Sequence, residues 1–183
     1  MATTVGLLVA DLKEGIDKED AVLKKLREGM AKGGLIERQS YGFSVEHPQR
    51  LYWTLYFENG FERKDFKWPE AEYGNFVDDL KWITTADYTR YYFDFPSFPH
   101  AIIAAPVTEI AIGTLKADAD LAAFKPVMEA AGAKPVVVLL IGWDSIEAHK
   151  SVSAIPENQA KVVPLHAFAE KVDIVHVSFI DKV

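Results

Sequence analysis

The first 98 residues carry strand and helix signals in the order β-α-β-β-α-β, and this order restricts the chain more than any other feature. It is the split β-α-β pattern of a ferredoxin-like unit, an antiparallel sheet with helices on one face. Thr4 to Ala10 is a short apolar run, as a buried strand is. Asp17 is placed to cap a helix, with Asp20 in its first turn; Ala21, Val22, Leu26 and Met30 approximate helical spacing, and Gly33-Gly34 stops it. Leu35–Val45 and Arg50–Phe57 are β-rich, and Glu46-His47-Pro48-Gln49 joins them as a hairpin. Ala71–Ile83 predicts a helix with Phe76, Leu80 and Ile83 on one side, and Tyr88–Phe95 predicts a strand by residue type.

The rest of the chain repeats the order with a piece missing. Strands are expected over Val107–Thr114, Pro135–Trp143 and Asp173–Ile180. Helices are expected over Asp118–Ala131, from Asp144 to Ser151, and over Asn158–Lys171 with a bend at Pro164. The gap is a second strand between Gly132 and Pro135, and Ala101–Ala105 is the candidate to supply an extra one. Between the repeats, Phe95-Pro96-Ser97-Phe98-Pro99-His100 holds two prolines that limit regular structure. The chain therefore divides into 1–98 and 105–183, two ferredoxin-like halves of an α+β protein. Composition supports the division: 18 of the 22 aromatic residues lie within 1–98.

Alternation along the strands nominates a site, because successive side chains point to opposite faces. Leu51, Trp53, Leu55 and Phe57 form one apolar face, and Tyr52, Thr54 and Tyr56 the other. In the same way Arg90, Tyr92 and Asp94 oppose Tyr91, Phe93 and Phe95, and His176 opposes Val175 and Val177. The greasy faces are expected under helices. The mixed faces are expected to line an interior, since phenols offer apolar bodies with hydrogen-bonding tips. His176, Arg90 and Tyr92 are the candidate catalytic residues, as base, charge and hydrogen-bond donor. Tyr52 and Tyr56 are candidate substrate contacts. The loop from Phe61 to Pro69 interleaves aromatics with both charges, so it packs locally or closes over a pocket.

Several chemistries are excluded. With no cysteine there is no thiolate site, disulfide or cysteine nucleophile. A net charge of -7 without a basic run argues against nucleic acid and anionic membranes as partners. No apolar run approaches the roughly 20 residues that span a bilayer, and the start MATTVGLLVADLKEG lacks the basic segment of a signal peptide, so a cytoplasmic protein is expected. Walker, dinucleotide and Gly-x-Ser-x-Gly motifs are absent, as are His-x-His and His-Glu-x-x-His, so no metal site is expected.

One stretch carries a resemblance. Val138-Leu139-Leu140-Ile141-Gly142-Trp143-Asp144-Ser145-Ile146-Glu147-Ala148-His149 is an apolar strand running into tryptophan and a capped helix, followed by Leu165-His166-Ala167-Phe168 and Val175-His176-Val177. Over residues 105–183 it resembles the dimeric α/β-barrel superfamily, especially the antibiotic-biosynthesis-monooxygenase-like group. Where common versions place a histidine a few residues after the Glu-Ala pair, His149 here follows Ala148 directly. The resemblance implies two ferredoxin-like halves forming a dimeric-α/β-barrel-like fold, with homodimers common in the superfamily. It implies a small-molecule enzyme acting on an apolar or aromatic metabolite, with cofactor-independent monooxygenase-like activity, and adds Trp143 and His149 as substrate contacts. The alternatives are a non-catalytic small-molecule-binding or stress-response protein, and a haem protein using His149, His166 or His176 as axial ligand.

Overall fold

A computed structural model describes residues 3–33, 36, 38–57, 67–95, 98–119 and 136–182. The chain divides into two compact units, Met1–Phe98 with Ile180–Val183, and Pro99–Phe179.

In the first unit β1 (Thr3–Asp11), β2 (Arg38–Phe43), β3 (Arg50–Phe57) and β4 (Thr89–Phe95) build a sheet of order β4-β1-β3-β2, with β8 (Ile180–Lys182) added beside β2. All neighbours are antiparallel, and Leu8 lies opposite both Trp53 and Arg90. α1 (Ala21–Lys32) and α3 (Phe76–Ile83) cover one face. There Leu51, Trp53, Leu55 and Phe57 meet Leu23, Leu26, Leu80 and Ile83, all buried. Full burial of each such side chain contributes about 1.5–3 kcal/mol before the entropy of ordering it. A polar pin crosses this core: Trp53 Nε1 donates to Gln39 Oε1 at 2.9 Å, and Gln39 Nε2 donates to the Arg27 carbonyl at 2.8 Å.

Local chemistry sets the helix boundaries. Asp20, not Asp17, caps α1; its Oδ1 accepts from the N–H groups of Val22 and Leu23 at 2.9 and 3.1 Å. The helix expected over Ala71–Ile83 is two, α2 (Glu70–Tyr73) and α3, because Gly74 takes a left-handed φ of 67° and Asn75 then caps α3.

The second unit has a three-stranded antiparallel sheet of order β6-β5-β7, from β5 (Val107–Leu115), β6 (Val136–Trp143) and β7 (Ala169–Val177). β5 is central, as β1 is in the first unit. α5 (Ile146–Ser153) and α6 (Pro156–Phe168) connect β6 to β7. Both units follow the ferredoxin-like plan, and the chain is an α+β protein of that class. The helix expected over Asp118–Ala131 and the missing strand before Pro135 lie almost wholly outside the described residues.

Two expectations are corrected. Ala101–Ala105 is no strand: α4 (His100–Ile103) is helical, with Pro99 at its start where the missing proline N–H costs nothing. The strand expected over Asp173–Ile180 is two. β7 begins earlier, at Ala169, and ends at Val177; after Ser178 and Phe179, β8 joins the sheet of the first unit. Ser178 leaves the ladder with its hydroxyl donating to the Pro106 carbonyl at 3.0 Å. Among the described residues no helix is long and apolar enough to cross a membrane.

At the end of the β1–β3 ladder Arg50 grips Asp11 with both arms, Nε to Oδ1 at 2.7 Å and a second N–H to Oδ2 at 3.1 Å. The hydrogen bond from Arg50, aided by its charge, holds the Asp11 carboxyl below its ordinary value of 3.8. A depressed folded-state pKa gives stability that is present above the unfolded value and lost as pH falls through the folded one. Both side chains are a third or more exposed, so solvent screening keeps the effect below about 1 kcal/mol. Urea midpoints of wild type and Asp11→Asn should differ at pH 7 and converge below pH 3.8; a gap that persists at low pH would show that the ion pair is not its source.

Candidate functional site

The central strand β5 contributes one charged residue to an otherwise uncharged run, Glu109, and it is buried. A carboxylate cannot leave water without partners, since desolvation costs several kcal/mol. The register supplies them. Glu109 lies opposite His176 on β7 and Ile141 on β6, so Trp143, two residues along β6, shares its face. Trp143 Nε1 donates to Glu109 Oε2 at 2.8 Å.

The third partner comes from the turn after β6. The Ser145 hydroxyl oxygen accepts from the Ala148 N–H at 3.1 Å and so opens α5 one turn before His149. A hydrogen bond from its own backbone N–H, then one from the Ser145 hydroxyl, holds the Glu147 carboxyl below the usual range and so ties down this first turn. His149 consequently lies over the Trp143 indole, ring centres 4.9 Å apart and planes at 24°. Its Nε2 is 3.3 Å from Glu109 Oε2, and its Nδ1 is 2.7 Å from His176 Nε2. The two rings are joined by one hydrogen bond, its donor set by the tautomer. The result is a continuous chain, carboxylate to imidazole to imidazole, with Glu109 6% and His176 7% exposed.

Glu109, Trp143 and His149 line a cavity of about 670 Å³ together with Ile141, Val152, Val162 and Ile174, and with Ser153, Asn158, Gln159 and Lys161 on its helical side. Its volume and its largely apolar wall suit a small organic molecule.

Of the residues nominated from sequence, His176, His149 and Trp143 come together here. The four from the first unit do not form one cluster. Tyr52 and Tyr56 lie on the face of the first sheet opposite the helices, whereas Arg90 and Tyr92 lie on the helix-covered face with Leu8 and Leu55. The alternation was visible, but the sorting of faces was inverted in two strands. On β4 Tyr92 packs across from Gly6, where a Cβ would come within 3.2 Å of its ring. Arg90 stays exposed while its guanidinium lies over Tyr88 and Phe76, at 4.7 and 5.1 Å. On β7 His176 shares the Glu109 face, the side on which α5 packs. Tyr52 adjoins Arg50, whose charge it helps to hold. The cavity beside Arg90 and Tyr92 is only about 50 Å³, too small for a metabolite.

Sequence motifs missed Glu109. Trp143 and Glu109 are 34 positions apart and the two histidines 27, so no local spacing marks the group. The available signal was a lone charge inside an apolar strand. His149 Nδ1 and His176 Nε2 face each other at 2.7 Å, so in this arrangement the two histidines bind one another. The side chain of His166 and loop residues 61–66 lie outside the described residues; from the same loop Trp68 packs on Phe76 and Tyr73 with ring centres 5.1 and 6.1 Å away.

No protein-family model matches the sequence, and no curated protein matches it. Solved structures do match in fold. A candidate monooxygenase from Lactobacillus acidophilus NCFM is 13% identical, with 98% of this chain and 94% of that one covered at a TM-score of 0.56. A candidate monooxygenase from Fusobacterium nucleatum subsp. nucleatum ATCC 25586 is 6% identical, with 96% and 91% covered at 0.59. An anthrone oxidase-like protein is 13% identical, with 99% and 92% covered at 0.59. The chain therefore has the two-sheet α+β fold of these monooxygenase-like structures, and at such identities the likeness is one of fold.

The indole N–H should be what holds Glu109 in place. Trp143→Phe keeps an aromatic ring over His149 but removes a donor to a buried carboxylate, and should cost about 1.5–3 kcal/mol in urea unfolding. Wild-type stability in that variant would mean that Glu109 does not depend on Trp143.

Proposed function

We propose that the protein is a small-molecule enzyme in which Glu109 acts as general base on an apolar, aromatic substrate bearing an acidified C–H bond, followed by reaction with molecular oxygen. The observation that carries this reading is a buried carboxylate at the wall of a largely apolar cavity of about 670 Å³, with the Trp143 indole N–H and the His149 ring both against one oxygen. Trp143 and His149 engage Oε2, and the second oxygen is left for a substrate proton. His176 fixes the His149 ring through their hydrogen bond, so it is a positioning residue. Trp143 presents an aromatic surface on which a planar substrate stacks.

The chemistry balances with oxygen as the sole oxidant. Glu109 removes a proton from a ring-activated CH2 group, leaving a carbanion whose charge spreads into the aromatic system. The carbanion passes electrons to O2 and a C–O bond forms. With the proton returned by Glu109 this gives a hydroperoxide. Loss of the second C–H proton together with hydroxide releases one water and leaves a ketone, so one CH2 and one O2 become one C=O and one H2O. The fold shared with monooxygenase-like structures, one of them anthrone oxidase-like, supports this class of substrate.

Oxygen uptake with an anthrone-type substrate provides the test. Wild type should consume one O2 per ketone formed, and Glu109→Gln should lower kcat by about 100-fold or more while remaining folded by circular dichroism. Unchanged turnover in Glu109→Gln would remove Glu109 from the chemistry, and no uptake by wild type across a panel of such substrates would overturn the reaction class.

A further inference from the structure

We infer that Glu109, His149 and His176 also form a binding site for a divalent transition-metal ion, zinc being the natural probe, in which the ion takes the place of the proton between the two imidazoles. This shares Glu109 with the function proposed above but rests on geometry alone.

Each of the three residues offers one donor atom, and these atoms all lie within 4.8 Å of one another. Around a tetrahedral zinc ion with bonds of about 2.0–2.2 Å, neighbouring donors stand roughly 3.3–3.6 Å apart. His149 Nδ1 and His176 Nε2 are 2.7 Å apart, so the imidazoles need to separate by roughly 0.6–0.9 Å to admit the ion. His149 binds through Nδ1, which already faces His176 Nε2, and the Glu109 carboxylate turns toward the ion from beside His149 Nε2, where its Oε2 lies at 3.3 Å. Glu109 then ligates through its other oxygen. The Trp143 Nε1 hydrogen bond to Glu109 Oε2 is present before any ion arrives, which is how outer partners orient metal ligands.

The donor set decides the class of ion. Two imidazoles and one carboxylate suit zinc or ferrous iron, and suit magnesium or calcium poorly, since these prefer oxygen alone. Three protein ligands leave a coordination position open, and the cavity adjoins Glu109 and His149. An ion held here occupies the Glu109 oxygen assigned above to the substrate proton, so zinc should inhibit oxygen uptake rather than support it.

The test is calorimetric titration of ZnCl2 into the full-length, untagged, chelator-treated chain. With no cysteine in the sequence, thiolates add no background. One zinc should bind per chain with imidazole-type N/O scattering at about 2.0–2.1 Å in X-ray absorption. MgCl2 should give no comparable heat. Glu109→Gln and His176→Asn should each weaken zinc at least tenfold, and His149→Asn, on the outer helix α5, should do the same where a core variant fails to fold. No saturable binding by wild type, or wild-type affinity in His149→Asn with any folded core variant, would overturn the site. Binding without oxygen uptake would sink only the proposed reaction, and uptake without binding only the metal site.

Discussion

A carboxylate buried in the middle of a three-stranded sheet is the constraint around which the second unit is arranged. Glu109 lies on the central strand, with a neighbour strand on each side, so water cannot solvate it from the strand edges. An unpaired charge there would cost more than any single contact returns. Trp143 at the end of β6 and His149 in the first half of α5 meet the demand, the first placed by the β5–β6 register and the second by the serine-capped turn after the strand. Just before that turn, Gly142 permits the close approach of β6 to α4 and the residues after it: a Cβ there would sit 2.9 Å from the Ala105 Cβ and 3.3 Å from the Ile102 Cα.

The first unit meets a different constraint. Its sheet buries one face under α1 and α3, and a polar pin from Trp53 through Gln39 to the Arg27 carbonyl crosses that core. Its aromatic wealth is largely core. Trp53 and Phe57 are fully buried, Tyr41 stacks beneath Arg27 at 3.9 Å, and Arg90 rests on Tyr88 and Phe76. The aromatic-rich half of the sequence is therefore explained by packing, and the polar chain with the larger cavity is in the aromatic-poor half.

The fold was legible because it rests on periodicity. Alternation in Leu51–Phe57 and the helical spacing of Leu80 and Ile83 follow from side-chain direction, and both hold in the structure. Boundaries were less legible where one residue's backbone decides, as Gly74 does by splitting a helix and Ser178 by splitting a strand. The site was half legible. Trp143, His149 and His176 stand out as residue types, but Glu109 joins them only through the β5–β7 register and the β6–α5 turn, which no spacing in the chain records. Arg90 and Tyr92 lie on the helix-covered face although their strand face is mixed, because a guanidinium can lie over aromatic rings and still reach water.

The most direct measurement is a crystal structure of the protein soaked with an anthrone-type substrate in the absence of oxygen. The ligand should lie in the cavity beside Trp143, with its reactive carbon roughly 3.5 Å from the Glu109 carboxylate, within attack range. Ligand density against Tyr52 and Tyr56 on the first sheet, with the Glu109 cavity empty, would contradict the assignment of the site.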